Sequence, residues 1–275
     1  MPEVFAIATN IVSGMGLDTA AHWQAVSKGQ TGIRRHEDNA FSATPFMAAK
    51  LDPAQWQAIS GQTRTAQLYP FEQLAAYSAQ KAISDLEEPI DLNQTAFILS
   101  TTKGNIELLG KAPEEHLLLH YSAKKIANYL GIPGKPFVIS HACVSGIVAL
   151  QYGLHLLQSG RYKHAIVTGC DRFSRFVLNG FLSFQAISDE PCRPFDAARK
   201  GITLGEAAAT IILSVNKTDN AAGALVSGAT SNDANHISGP SRTGDELAMA
   251  ITKSLKAAGI PAAQIDMISA HGTAT

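Results

Sequence analysis

The chain has 275 residues, and its 22 basic and 23 acidic side chains leave a formal charge of −1. It therefore has no cationic surplus for phosphates, which argues against an electrostatic nucleic-acid binder. Hydrophobic residues at 45% and charged residues at 16% exclude intrinsic disorder and specify a large buried core, in one large domain or two ordinary ones. No apolar run approaches the roughly 18–20 residues of a membrane span. The amino-terminal Met1-Pro-Glu-Val lacks the basic region of a secretion signal. The three cysteines, Cys143, Cys170 and Cys192, are too scattered for a disulfide framework or a metal pair. A cytoplasmic protein is the expectation.

Short apolar runs alternate with longer helical patterns. Val4–Thr9 reads as a buried strand. Phe71–Asp85 follows a period near 3.6 and reads as a helix. Thr95–Ser100 is a second strand and Glu114–Leu130 a second helix. Strand Phe137–His141 leads into helix Ser145–Gln158, which Gly160 stops; strands Ala165–Gly169 and Ala209–Val215 follow. This alternation predicts an α/β sandwich with helices on both faces of a mainly parallel sheet. After the polar stretch Asn216–Asn220 a second cycle begins, with strand Ala224–Thr230, helix Asp245–Ala258 and strand Ile265–Ala270. The expected units are therefore 1–218 and 219–275, the second cut short, because its last strand is left uncovered.

Nucleotide and metal signatures are weak. Gly14-Met-Gly16 lacks a third glycine, there is no P-loop, and the nine histidines form no ligand spacing. The informative segment is Phe137–Leu150, where an apolar strand runs into a small-residue turn at Cys143 with a helix directly behind it. Unpaired N–H groups and the positive end of the helix dipole would favour a negative charge on sulfur there. Ala142, Ser145 and Gly146 would let a substrate approach closely. The competing reading is a buried structural cysteine. His271 closes the predicted strand Ile265–Ala270, at the strand edge where α/β ligands sit, and could face the same pocket as Cys143.

These residues resemble a known family. His141-Ala-Cys143-Val-Ser-Gly146 is similar to the active-site turn of β-ketoacyl-acyl carrier protein synthases of the thiolase superfamily. Gly180-Phe181 with Gln185-Ala-Ile-Ser188 resembles the acyl-pocket loop. Arg193-Pro-Phe-Asp196 through Gly205-Glu206-Ala-Ala-Ala209 resembles the "RPFD…GEGA" block, and Ala270-His-Gly-Thr-Ala-Thr275 the "AHGTxT" block. The resemblance implies a layered thiolase-like α/β/α/β/α fold, its first half complete and its second truncated, of the elongating Cys-His-His type.

It also implies a decarboxylating Claisen condensation in fatty-acid, aryl-polyene or polyketide-type synthesis, without a cofactor or metal. Cys143 would carry the acyl group, His271 would stabilise the enolate of the malonyl unit, and Phe181, Thr273 and Thr275 would contact substrate. Glu206 would be structural. Phe181 has an equally good reading as ordinary core. The partners implied are acyl carrier protein and a second subunit, identical or paralogous, paired through the strand around Pro136–Ser140. Departures include Lys200-Gly-Ile202 in place of "DGF" and Gly169-Cys-Asp171 in place of "GGxE". The family's second histidine and its lysine would lie beyond Thr275, so the chain alone is expected to load an acyl group but condense poorly. The alternative is a non-catalytic subunit like a chain-length factor, although such partners usually lack the cysteine.

Overall fold

Thr95–Ser100 (β4) is buried at every position because helices cover it on both sides. Ala96 and Ile98 pack with Ala149, Leu154 and Leu157 of α5 (Ser145–Gln158). Phe97 and Leu99 pack on the opposite face with Leu74 and Ala75 of α3 (Pro70–Ser84) and Ile126 of α4 (Leu119–Tyr129). The period of two thus fills two cores at once. This helix–sheet–helix sandwich comes from a computed structural model that describes residues 2–63, 67–233, 241 and 243–272.

Around β4 the sheet runs β5–β4–β6–β8–β1–β9. The other strands are β1 (Phe5–Ser13), β5 (Phe137–Ile139), β6 (His164–Asp171), β8 (Ala207–Ser214) and β9 (Gly223–Ala224). α5 can lie close to this sheet because its mid-helix residue is Gly153. A Cβ there would stand only 3.2 Å from Leu213 Cδ1 and 3.3 Å from Val167 Cγ2. A smaller sheet joins β2 (Ile33–His36), β3 (Phe46–Ala49) and β7 (Leu204–Gly205). Phe46 and Ala48 pack there against Phe173 and against Leu178 of α6 (Arg175–Ser183). The remaining helices are α1 (Thr19–Ser27), α2 (Pro53–Thr63) and α7 (Asp245–Ala258).

Several expectations need correction. The sheet is mixed: β4 pairs in parallel with β5 and β6, but β6–β8, β8–β1 and β1–β9 are antiparallel. The chain returns from β6 to β8 in the opposite direction, so no parallel crossover is made there. The first strand runs on to Ser13 because β8 pairs with it along its whole length. The expected helix Glu114–Leu130 is split by the extended Leu118 into a 3₁₀ turn, Glu114–Leu117, and α4. In place of a strand Ala224–Thr230 the ladder holds only Gly223–Ala224, flanked by bonds from Ala222 N to Ala6 O and from Leu225 N to Val4 O, since β1 begins at Phe5 and offers no partners further on. Ile265–Ala270 joins no ladder among the described residues, and Met267 and Ile268 stand 83% and 80% exposed. A strand without a neighbour leaves its backbone groups to solvent, and nothing holds it extended.

Candidate active site

The sharp turn between β5 and α5 places the candidate nucleophile. Ala142 takes a left-handed φ of +45°, an uncommon conformation for a residue with a Cβ. Ser145 holds the turn: its hydroxyl donates to Ala142 O at 2.7 Å and accepts from His141 N at 2.7 Å. Val144 N and Ser145 N close the turn onto His141 O and Ala142 O. The strained step turns Cys143 out of the strand path, and the thiol is exposed. Ser145→Ala removes both side-chain bonds and leaves the part-buried His141 N–H and the Ala142 carbonyl without this partner. We expect a loss of about 1–3 kcal/mol, read by urea unfolding, together with slower modification of Cys143.

Cys143 opens into a cavity of about 480 Å³. Its walls come from the carboxyl ends of the parallel strands β4 and β6 (Ser100, Gly169), from α6 (Val177, Phe181) and from Phe173 and Leu204. Parallel strands bring their carboxyl ends to one edge, which is why a turn after β5 and a helix after β6 meet there. Phe181 is half-buried and lines the same cavity as Cys143. Cys170 also reaches the wall, but its thiol is buried against Phe71 O at 3.8 Å, and burial pushes its pKa well up. It is a packing residue.

Asp171, Arg172 and Glu206, at and beside the cavity wall, are tied into fixed bonds. Asp171 accepts from Thr101 Oγ1 at 2.9 Å and from Thr102 N at 3.1 Å, which fixes the loop after β4 to the end of β6. The Arg172 guanidinium is ion-paired to Glu107 and lies 3.6 Å from Glu206 while covering the face of Trp56. Glu206 is buried and accepts from Leu51 N at 2.9 Å and Trp56 Nε1 at 3.4 Å, a structural role. Asp171, Arg172 and the exposed Lys103 also stand in the cavity wall, although no motif in the sequence marks them as site residues. Asp171 and Arg172 at the end of β6 carry the same signal as His271, a polar residue at the carboxyl end of an apolar run.

His271 is exposed and absent from the lining of the Cys143 cavity. Its neighbour Gly272 has a φ of +66°, and a Cβ there would sit 3.4 Å from Pro194. The segment carrying His271 joins no sheet among the described residues, so no strand end directs the imidazole. Thr273 and Thr275 lie outside the described residues. No group of three or more His, Cys, Asp or Glu side chains that could hold a metal occurs among the described residues.

Comparison with known proteins gives the family. The family description "Beta-ketoacyl synthase, N-terminal domain" matches residues 1–219, and "Beta-ketoacyl synthase, C-terminal domain" matches residues 222–275. The chain belongs to the beta-ketoacyl synthase family. A protein of Schizosaccharomyces pombe described as a mitochondrial 3-oxoacyl-[acyl-carrier-protein] synthase is 25% identical, over 100% of this chain and 74% of its own length. A Streptomyces halstedii protein described as polyketide beta-ketoacyl synthase 1 is 33% identical over 56% of this chain and 39% of its own. The solved complex of a ketosynthase with its chain length factor from Xenorhabdus doucetiae matches with a TM-score of 0.83 at 26% identity, covering 100% of this chain and 72% of that one. The fold is the thiolase-like fold of the ketosynthases.

Proposed function

We propose that this beta-ketoacyl synthase takes an acyl group onto Cys143 and condenses it with a malonyl thioester. The observation that carries this reading is an exposed thiol on a strained strand–helix turn, opening into a cavity with Phe173, Val177, Phe181 and Leu204 in its wall. The Cys143 sulfur attacks the acyl carbonyl of a carrier-bound thioester, the carrier thiol leaves, and an acyl-cysteine remains. The malonyl unit then loses CO2, and its enolate carbon attacks that carbonyl. The new C–C bond forms as the C–S bond breaks, returning the Cys143 thiolate. His271 is assigned the stabilisation of enolate charge, and Phe181, Thr273 and Thr275 contact with substrate; for His271 and the threonines this rests on their sequence motif. Acyl carrier protein is the donor in this reading. Residues 1–218 form the half that bears the nucleophile, and 219–275 belong to the second half. No cofactor takes part.

The test is the intact mass of the purified chain before and after incubation with a short acyl thioester. A gain of one acyl group mapping to Cys143 is expected. A folded protein with a free thiol and no adduct would overturn the assignment and favour a partner-subunit role.

A second subunit is part of the proposal. β5 is the edge of the large sheet, and its half-buried Phe137, Val138 and Ile139 pair only with β4 among the described residues. An open apolar edge invites another strand. Light scattering at micromolar concentration is expected to give twice the 29.1 kDa chain mass, and a monomer would contradict the homodimer. The same reading places the protein in the cytoplasm; among the described residues no helix is long and apolar enough to cross a membrane.

A further inference from the structure

A second cavity, of about 420 Å³, lies against the Cys143 cavity and shares Arg172 and Phe173 with it. It opens between the β2–β3 hairpin and the start of α2, and its wall carries Arg34, His36, Lys50 and Arg172. Arg34 and His36 come together because residues two apart on β2 share a face. Two carboxylates, Asp52 and Glu206, stand in the same wall. Glu206 is engaged by Leu51 N, Trp56 and Arg172, and Asp52 caps α2 by accepting from Gln55 N at 2.8 Å. Arg172 is neutralised by Glu107 and Glu206. His36 is committed by one ring nitrogen to Ala48 O at 3.2 Å and stacks on Phe46.

Arg34 and Lys50 are different. Neither has a carboxylate partner among the described residues. Lys50 is half-buried, its Nζ 4.1 Å from the centre of the Phe41 ring and 5.4 Å from that of Phe173. Aromatic faces hold an ammonium group but do not cancel its charge. A half-buried cation held in this way beside an arginine, at the wall of a cavity, presents positive charge that no ion pair engages where a ligand can reach it.

We propose that this cavity binds an anionic group, a phosphate or a carboxylate, through Lys50 and Arg34. This goes beyond the reading of Cys143 and does not depend on it. The anion can be free in solution or carried on a thioester bound at the adjoining cavity.

The first experiment follows thermal unfolding of the chain against inorganic phosphate and, separately, glutarate, at ionic strength matched with chloride. Saturable stabilisation by either anion is expected, with the half-saturating concentration raised at least about tenfold in Lys50→Gln. Arg34→Gln, on an exposed part of β2, is the companion variant that leaves the core untouched. The second experiment compares loading of Cys143 by glutaryl and pentanoyl thioesters of equal chain length. A glutaryl preference that Lys50→Gln removes means that the anion is carried on the substrate. Anion binding without that preference means a free ligand. If neither phosphate nor glutarate stabilises beyond chloride, or if both variants respond as the unaltered chain does, the site does not exist. Failure of both thioesters to load, with anion binding intact, would fault the role of Cys143 and leave this cavity standing.

Discussion

Cys143→Ala is expected to abolish acyl loading, from one acyl group per chain to none by intact mass, while leaving the protein folded. The argument rests on the contrast between the three thiols. Cys143 is exposed at the cavity mouth, Cys170 is buried and held by burial in its neutral form, and Cys192 sits in the loop before β7 outside the lining of that cavity. Only the first is both exposed and open to the cavity, and only the first lies on the strained turn. Because Cys143 makes no core contact, removing its sulfur should change stability by no more than about 0.5 kcal/mol. A small alkylating reagent gives an independent readout: one rapidly modified thiol in the unaltered chain and none in the variant. An adduct that persists in Cys143→Ala would move the chemistry to another residue and sink the assignment.

The parts of this site that were legible in the sequence are those that local chemistry fixes. The turn at Cys143 could be read because apolar Phe137–Ile139, small Ala142 and Gly146, and the helical run from Ser145 leave the chain little choice there. Helix α5 and strand β4 have the expected bounds because each carries its own pattern, one period of 3.6 and one run buried on both faces. Strand direction was not legible. An apolar run such as Ala207–Ser214 looks the same whether its neighbour is parallel or antiparallel, and the reversal between β6 and β8 is set by tertiary packing. Ile265–Ala270 reads apolar and strand-like, but a strand exists only with a partner, and no pattern within the segment can supply one. For the same reason no strand end directs His271, which does not line the Cys143 cavity. The network of Arg172, Glu107, Glu206 and Trp56 joins four separate parts of the chain, so spacing along the sequence carries no trace of it.

The largest stability effect is expected at Glu72, a carboxylate with no exposed surface in the first turn of α3. One oxygen accepts from Asn105 Nδ2 at 2.9 Å and Ser122 Oγ at 3.0 Å; the other accepts from Tyr69 N at 2.9 Å and pairs with Lys125 Nζ at 2.5 Å. Glu72→Leu removes an acceptor from four donors, of which Asn105 Nδ2 keeps His116 O and Lys125 Nζ keeps Gln67 O, and leaves Lys125, whose side chain is only 19% exposed, without its counter-charge. Breaking one side of such a pair costs about 3–5 kcal/mol, measurable by urea unfolding. The damage should extend to the active site. Asn105 follows the loop of Thr101, Thr102 and Lys103, which Asp171 ties to β6 and which helps to wall the Cys143 cavity. Loading of Cys143 should therefore slow in Glu72→Leu even under conditions where the protein remains folded. Lys125→Met combined with Glu72→Leu removes the orphaned cation and should recover part of the lost stability, because the hydrocarbon stems can then pack together. If the double variant is as unstable as the two single losses added together, the pair is not coupled. The anchoring of the cavity loop would then have to be assigned to Asp171 and its two threonines alone.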